Sequence, residues 1–364
     1  MADWDFILAP STVTVEFTID EPLILLHSMR LVSIADVHSG LNDWVIQTAH
    51  KLEPDVLRHN HFVLDVADHV AMHTEPKTFP ELIAAVQAES PQTLVEYALH
   101  WLRDYDAYPG DDVLLSNAKT MVNTVHELLA EKLESRGEEF DDEAWHDRYQ
   151  YLVNPEQLQE LCVQHLQMMW DHYLKAEWQR IQPMLKDAYE AFSSMDYSGL
   201  TAHEAIETIT ERNMRGADTL SEKLKKVNKL IFMPSAHLGP YIAWMMRDEG
   251  SSMIIFFGVR QPKNAKVQSL ALSRSELLVR LNALADETRL RILELLTEHQ
   301  EMCAQDFITR LDLSQSSASR HLRQLTASGY ISERRRDVAK CYSLNPERVE
   351  DTIQALRTFL HPVQ

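Results

Sequence analysis

Residues 313–325 read LSQSSASRHLRQL, and this stretch decides the fold of the C-terminal quarter of the chain. Ser314 is a good N-terminal cap and Gly329 is the expected stop, which predicts a helix between them. Three apolar residues recur at helical spacing and should pack inward: Ala318, Leu322 and Leu325. The opposite face carries short hydroxyl groups and two arginines. This composition is typical of a helix that enters the major groove of DNA.

The segments before this helix are also predicted from their spacing. Leucines on one helical face indicate a helix over residues 276–284, and Asp286 begins a second helix with acidic residues in its first turn. Residues 303–311 form a short third segment. The chain therefore reaches the candidate recognition helix through three short helical segments.

A hairpin and a last helix are predicted after the recognition helix. Residues 330–334 and 340–344 are typical strands, joined by the basic turn 335–339. A basic hairpin beside a recognition helix is a wing, which can reach the neighbouring phosphates or the minor groove. Asn345 caps a final helix over residues 347–360, whose apolar stripe could pair with a second subunit.

These elements, in this order, predict a winged helix-turn-helix that binds double-stranded DNA. Long arginine side chains can bind guanine through two hydrogen bonds or clamp a phosphate. The residues expected to contact DNA are polar and basic residues of the helix and the wing: Ser314, Gln315, Ser316, Ser317, Ser319, Arg320, His321, Arg323, Gln324, Arg334, Arg335, Arg336 and Lys340.

Two stretches, LADETRLRIL at 284–293 and the sequence quoted at the outset, resemble the signature stretches of the ArsR family of winged-helix repressors. Ser328 to Ile331, and Arg334 with residues 342–345, resemble that family's entry to and exit from the wing. The resemblance covers about 90 residues, a quarter of the chain. It implies a homodimeric repressor. The layout also resembles members with a large domain of unknown function ahead of the winged helix.

The resemblance further indicates which metal ligands to look for. Metal-sensing members carry a Cys-x-Cys pair before the recognition helix, whereas this chain has Cys303-Ala304-Gln305. The last helix offers only Glu350, Asp351 and His361. Because soft-metal sites need several ligands, we expect neither a metal nor any other cofactor in this module. The tip of the wing also lacks the family's usual glycine.

The charge of the chain is unevenly distributed. The formal net charge is −20, yet residues 273–364 hold 13 Lys/Arg and 13 Asp/Glu, so residues 1–272 carry the whole deficit. A locally basic stripe can still meet phosphate on an acidic protein. The three cysteines are odd in number and far apart, which favours reduced thiols. With no signal peptide or membrane segment in the pattern, we expect a cytoplasmic protein.

The first 262 residues predict a mainly α-helical sensor or dimerisation domain with a small sheet. Its strands are expected at 13–19, 227–233, 241–246 and 253–259, the last two forming a hairpin. The fold class is therefore mainly α, a winged helix-turn-helix preceded by a large α-rich domain. The predicted divisions are a first domain at 1–262, a polar linker at 263–272 and a DNA-binding domain at 273–364.

Two groups of residues in the first domain are candidates for ligand binding. One helical face carries four possible metal ligands, although a solvated face explains them better: His61, Asp65, His69 and His73. Aromatic residues could line an apolar cavity for a small-molecule effector, or simply fill the core: Trp101, Trp145, Trp170, Trp178 and Trp244. Neither pattern identifies a ligand.

The sequence thus favours a DNA-binding transcriptional regulator, a repressor that is not an enzyme. It would bind a palindromic operator as a homodimer and respond to a ligand of the first domain. Two alternatives remain open. One is an enzyme or ligand-binding protein with an attached regulatory winged helix, and the other is a winged helix that binds protein. Ser235 and His237, two residues apart, show no pattern of a nucleophile with its base.

Overall fold

The computed structural model describes residues 12–136, 140–212, 218–247, 250–260, 262, 270–336 and 339–361. The fold is mainly α-helical with two small sheets, as the sequence predicts. None of the helices in these ranges is long and apolar enough to cross a membrane. The chain divides into two compact units, a helical unit (residues 20–182 with 314–320) and a sheet-and-wing unit (the described residues of 1–19, 183–313 and 321–364).

Nine α-helices and one 3-10 turn, His100–Asp104, lie wholly within the described part of the helical unit. Five of the helices have proline in their first turn, where the missing N–H has no helical partner to lose. The α-helices are α1 (Glu21–Ser33), α2 (Asp43–Lys51), α3 (Pro54–Thr74), α4 (Phe79–Ala88), α5 (Pro91–Leu99), α6 (Asp111–Leu114), α7 (Ala118–Arg136), α8 (Asp142–Leu152) and α9 (Pro155–Met169).

A buried asparagine joins three of these helices. The Asn60 amide of α3 donates to the Met29 carbonyl of α1 at 2.8 Å and to the Ser33 hydroxyl at 2.6 Å. The His165 ring of α9 lies 2.9 Å from the Asn60 carbonyl oxygen through Nε2, which therefore donates. Each polar atom of the Asn60 side chain is thus paired in the core, and α1, α3 and α9 are held in register.

The sheet-and-wing unit contains a four-stranded sheet of order β1-β2-β4-β3, formed by β1 (Thr14–Phe17), β2 (Lys229–Ser235), β3 (Ile242–Arg247) and β4 (Ser252–Gly258). β1, β2 and β4 are parallel neighbours, and β3 pairs antiparallel with β4, which confirms the predicted hairpin. Three helices lie between β1 and β2 in the sequence and close to β2: α10 (Lys175–Ser193), α11 (Ala202–Thr210) and α12 (Asp218–Leu224). A π-helical turn, Trp170–Leu174, precedes α10.

The predicted order of elements is found in the winged helix. Its elements are α13 (Leu270–Leu284), α14 (Glu287–His299), β5 (Glu301–Cys303), α15 (Ala304–Leu311), α16 (Gln315–Ala327), β6 (Ile331–Arg336), β7 (Ala339–Leu344) and α17 (Pro346–Leu360). Strand β5 was not predicted, and it pairs with β7 in a sheet of order β5-β7-β6. The strands are longer than predicted, so Arg335 and Arg336 belong to β6, and residues 337–338 lie outside the described ranges.

The predicted domain boundaries stay a prediction. The division into compact units places the four-stranded sheet and most of the winged helix in one unit, and it separates residues 314–320 from the rest of the winged helix. Of the predicted linker, residues 263–269 lie outside the described ranges and residues 270–272 form the first turn of α13.

Two of the three cysteines are joined, contrary to the expectation of reduced thiols. Cys303 of β5 lies directly opposite Cys341 of β7, and the two form a disulfide across the sheet. Cys162 is free and buried in the helical unit. The expectation was wrong because residues 38 positions apart are brought together by a strand that the sequence pattern did not reveal.

Candidate nucleic-acid interface

A buried arginine fixes the start of the helix-turn-helix. Arg289 of α14 donates to the Ala283 carbonyl at 2.6 Å, to the Asn282 carbonyl at 2.9 Å and to the Gln324 side chain of α16 at 2.7 Å. Asp286 caps α14 by accepting from the Arg289 backbone N–H at 2.9 Å. Burial lowers the pKa of Arg289, and Asp286 opposes that shift. This side chain therefore joins α13, α14 and α16, a role that the sequence analysis missed.

The candidate recognition helix, α16, has one buried and one exposed face. Leu322 and Leu325 lie in the hydrophobic core of the winged helix, and Ala318 is also buried. Ser314 caps the helix, as predicted, by accepting from the Ser317 backbone N–H at 3.2 Å. The exposed face contains most of the predicted contact residues, namely Ser314, Gln315, Ser316, Ser319, Arg320 and Arg323, with Ser317 half-buried.

Two of the predicted contact residues lie elsewhere. Gln324 is fully buried, because it accepts from Arg289 and donates to the Asn282 side chain at 3.2 Å, so it is removed from the predicted DNA-contacting set. The His321 ring is mostly buried and lies 3.5 Å from an Asp286 carboxylate oxygen. Gln324 was included because its residue type is polar, whereas its helical position faces Arg289.

The wing presents four basic side chains on its exposed surface. Arg334 forms two hydrogen bonds with Glu301 of β5, one of them from Nη2 at 2.8 Å, and this pairing lowers the pKa of Glu301. Lys340 lies 2.8 Å from Glu333. Arg335 and Arg336 are exposed at the outer end of β6. The paired side chains are oriented by carboxylates on the same sheet.

The base of the wing is joined to the end of α16. Gly329 has φ +81°, a conformation that favours glycine, and turns the chain out of the helix. Asn345, which caps α17, donates from its side chain to the Gly329 carbonyl at 3.0 Å and from its backbone to the Tyr330 carbonyl at 2.8 Å. The chain is thus fixed at both ends of the hairpin, which sets the wing beside the recognition helix.

The four candidate metal ligands of the first domain lie along α3, where several of them form hydrogen bonds or ion pairs within the protein. His69 donates through Nδ1 to the Asp65 carbonyl at 2.9 Å, and His73 donates to the His69 carbonyl at 2.7 Å. The carboxylate of Asp65 lies 3.7 Å from the Arg148 guanidinium. Burial lowers the pKa of His61 to about 4, and burial raises the pKa of Asp65 to about 6.

Metal binding at these positions gains no support from this geometry. In the part of the chain that the structure describes, no three His, Cys, Asp or Glu side chains converge as a metal ion would require. The tryptophans of the predicted apolar cavity do not all lie together, although the ring centroids of Trp101 and Trp145 are 6.1 Å apart. Trp244 packs on the sheet of the sheet-and-wing unit, whereas the other four belong to the helical unit.

The winged helix matches known regulatory proteins. The family model described as "Bacterial regulatory protein, arsR family" matches residues 286–333, from the cap of α14 into β6. Over 63 residues the chain is 48% identical to the arsenical resistance operon repressor of Escherichia coli (strain K12), which covers 17% of this chain and 54% of that protein.

Two further relatives are covered over most of their length. The transcriptional activator HlyU of Vibrio cholerae is 32% identical over 90 residues, which cover 25% of this chain and 82% of that protein. The arsenical resistance operon repressor of Staphylococcus aureus is 34% identical over 85 residues, which cover 23% of this chain and 81% of that protein. The first relatives to match are spanned over only about half of their length.

Proposed function

Because this chain belongs to the ArsR family of bacterial regulatory proteins, we propose that it is a DNA-binding transcriptional regulator that represses from a palindromic operator as a homodimer. Two of the relatives named above are repressors and one is an activator, so repression is the finer part of the proposal. The relatives are regulators of transcription, and we propose no enzymatic activity.

One observation carries the proposal. The exposed face of α16 presents hydroxyl and amide groups at its first turn, followed by Arg320 and Arg323, on a helix whose other face is packed in the core. Short side chains let the helix approach the base edges, and the arginines can bind guanine or phosphate. Arg335, Arg336, Arg334 and Lys340 would contact the backbone beside the groove.

The homodimer is supported by apolar side chains that remain exposed on adjacent helices. Leu278 of α13 is 57% exposed, and Leu360 of α17 is 61% exposed, with Ile353 and Phe359 also exposed on α17. These two helices pack together within the sheet-and-wing unit. Burying such residues against a second copy would place two recognition helices about 34 Å apart, one turn of DNA.

The DNA-binding proposal is tested with the full chain on genomic fragments. Purified protein is used to select fragments, the bound site is footprinted, and affinity is measured for that site and for random DNA. The double variant Arg320→Ala/Arg323→Ala should lose at least tenfold in affinity for the selected site, because each arginine contact with a base is worth about 1–3 kcal/mol.

The matched control is Arg291→Ala, which removes an exposed arginine from α14. It should leave operator binding within about twofold of the native protein. An equal loss on every DNA sequence would assign Arg320 and Arg323 to phosphate contacts only. Unchanged binding by the double variant would remove α16 as the recognition helix, and the winged helix would then be a protein-binding module.

Dimerisation and repression are tested separately. Light scattering of the full chain should give twice the mass of 42.0 kDa, and Ile353→Glu together with Leu360→Glu should shift it toward the monomer. A reporter gene placed behind the selected site gives the direction of regulation. Higher expression in the presence of the protein would contradict repression and leave DNA binding intact.

We also propose that residues 1–262 receive the regulatory signal and that the DNA-binding domain begins near residue 273. The acidic residues are concentrated before residue 273, where they would repel DNA and leave the basic surface of the winged helix to bind it. If DNA binding by the full chain and by residues 273–364 responds alike to every candidate effector, this part of the proposal fails.

A further inference from the structure

Four arginine side chains gather around one cavity of the sheet-and-wing unit. Arg212 follows α11, Arg260 follows β4, Arg280 lies on α13 and Arg348 lies on α17, and all four line the cavity. Arg260, Arg280 and Arg348 are only 7%, 7% and 8% exposed. Arginine is rarely buried to this extent unless its charge is paired.

The carboxylates at this cluster pair only part of its charge. Glu211 forms an ion pair with Arg260 and lies 3.5 Å from Arg348, and Glu276 forms an ion pair with Arg280. Four guanidinium groups therefore face two carboxylates among the described residues. Among the described residues, the cluster therefore has two more positive than negative charges, and buried positive charge in this amount attracts an anion.

Hydrogen-bond donors at the same place lack acceptors. Nη1 of Arg212, Nε of Arg260 and Nε of Arg280 are buried, and none of them has an acceptor among the described residues. Burial, together with the neighbouring charges of Arg348 and Arg260, lowers the pKa of Arg212 to about 9. Because buried donors in proteins are nearly always paired, three in one cluster indicate a missing acceptor.

The walls of the cavity bring two backbone segments into close contact. A Cβ atom at Gly258 would lie 2.5 Å from the Gly239 carbonyl oxygen, so only glycine fits there. The cavity volume is about 30 Å³. A single water needs about 10–15 Å³ by the same measure, so the space admits one small group.

We propose that this cavity binds a small oxyanionic group, a carboxylate or a phosphate, between the arginines of α13, α17 and the four-stranded sheet. The planar guanidinium group donates two parallel hydrogen bonds to either group, which matches the donors that lack acceptors. Glu211 and Glu276 would then hold the arginines that they pair with and leave the remaining donors to the ligand.

The position of the site couples it to the recognition helix, and this second step rests on the proposed function. Arg348 donates through Nε to the Ser328 carbonyl, just past the end of α16, at 2.9 Å. The Arg280 carbonyl accepts from the Tyr330 hydroxyl at 3.2 Å. An anion that draws these arginines toward the cavity changes the support at the C-terminal end of α16, and operator affinity changes with it.

The experiment uses the full chain with sodium phosphate and sodium oxalate as probes, against sodium chloride at the same ionic strength. We expect a saturable rise in melting temperature with at least one probe, since a ligand that binds only the folded state stabilises it. Arg212→Gln should weaken probe binding at least tenfold, while Arg274→Gln, an exposed arginine of α13, should not.

The variant Glu276→Gln distinguishes a change in anion binding from general damage to the fold. Removing a carboxylate from the cluster should tighten probe binding several-fold, whereas a variant that only damaged the fold would weaken it. The inference is overturned if both probes act like chloride, or if Arg212→Gln and Arg274→Gln respond alike. Phosphate acting without oxalate assigns a phosphate site, and the reverse result assigns a carboxylate site.

Operator affinity, measured with and without the effective probe, separates the two steps. A probe that binds but leaves operator affinity unchanged overturns the coupling and keeps the site. If the protein binds no DNA, the proposed function fails, while the melting experiment still decides on the anion site.

Discussion

The winged helix and the helical unit both bury hydrogen-bonded polar side chains, but the helices that these side chains join differ in what they expose to solvent. In the winged helix, Arg289 and Gln324 join three helices, and one of those helices presents an exposed face with two arginines. In the helical unit, Asn60 and His165 also join three helices, and both side chains lie in the buried core. In both regions, buried polar side chains fix the relative positions of helices. Only in the winged helix do we connect this with a proposed function, through the exposed face of α16.

The largest effect on this comparison is expected from removing Arg289, the buried arginine that joins the helices of the winged helix. Arg289→Met leaves the Gln324 oxygen and two backbone carbonyls buried without a donor, which should cost about 3–5 kcal/mol of local stability. Amide hydrogen exchange of α14 and α16, followed by mass spectrometry, measures this loss. DNA affinity should fall as well.

The exposed neighbour Arg291→Met is the control, and it should change the stability of α14 by at most about 0.5 kcal/mol. Similar losses for both variants would mean that Arg289 contributes no more than a surface residue does.

Next in size is the disulfide of the wing. It links two cysteines 38 positions apart, Cys303 and Cys341, which should stabilise the winged helix by about 4 kcal/mol. Cys303→Ala/Cys341→Ala should therefore speed hydrogen exchange in β7 and α15. Dithiothreitol should have the same effect on the native protein and none on the double variant. A native protein that ignores the reductant would contradict a role of this bond in stability.

The helical unit offers a pH-dependent test of comparable or smaller size. Burial lowers the pKa of His165 to about 4, below its ordinary value of 6.5. The unfolded chain therefore takes up a proton first as the pH falls, and stability should drop by about 2–3 kcal/mol between pH 6.5 and pH 4. Tryptophan fluorescence during urea unfolding measures it, because most tryptophans lie in this unit.

His165→Gln keeps a donor for Asn60 but cannot titrate, so it should flatten this pH dependence and leave operator affinity at pH 7 unchanged. His61 shifts in the same direction and Asp65 in the opposite one, so only the difference between the two proteins isolates His165. If operator affinity falls with this variant, the distinction between the two regions is lost.

The smallest expected effect concerns the wing. Arg336→Ala should lower affinity a few-fold on every DNA sequence and reduce the slope of log affinity against log salt by about 1, since one phosphate contact is removed. Arg291→Ala should leave the slope unchanged. A loss confined to one operator sequence would instead show that Arg336 reads a base.

The sequence predicted what depends on local spacing. Ser314 and Gly329 mark the ends of α16, and two short apolar strands with a polar loop between them indicated the hairpin of β3 and β4. These features follow from helix capping, from positive φ and from a short loop between strands, all of which act within a few positions along the chain.

The features that were missed depend on partners distant in sequence. The burial of Gln324 is set by Asn282 and Arg289, and the disulfide depends on β5, a strand too short to show a pattern. The arginines of the cavity lie on four segments that are far apart in the sequence. A charged residue gives no sign of its burial until its neighbours are known.

Asn345 has a consequence for how such a protein adapts to its target. Its side chain and its backbone N–H join the end of the hairpin to Gly329 and Tyr330 at the start, and the Tyr330 backbone N–H donates to the Leu325 carbonyl in the last turn of α16 at 3.0 Å. We therefore expect the hairpin and α16 to move together, because a change in the angle between them would break these hydrogen bonds. If the chain binds DNA as the proposed homodimer, an operator with altered groove width would then be accommodated by movement of whole subunits, and a hairpin grafted from a relative should keep its orientation when the residue at this position makes the same two hydrogen bonds.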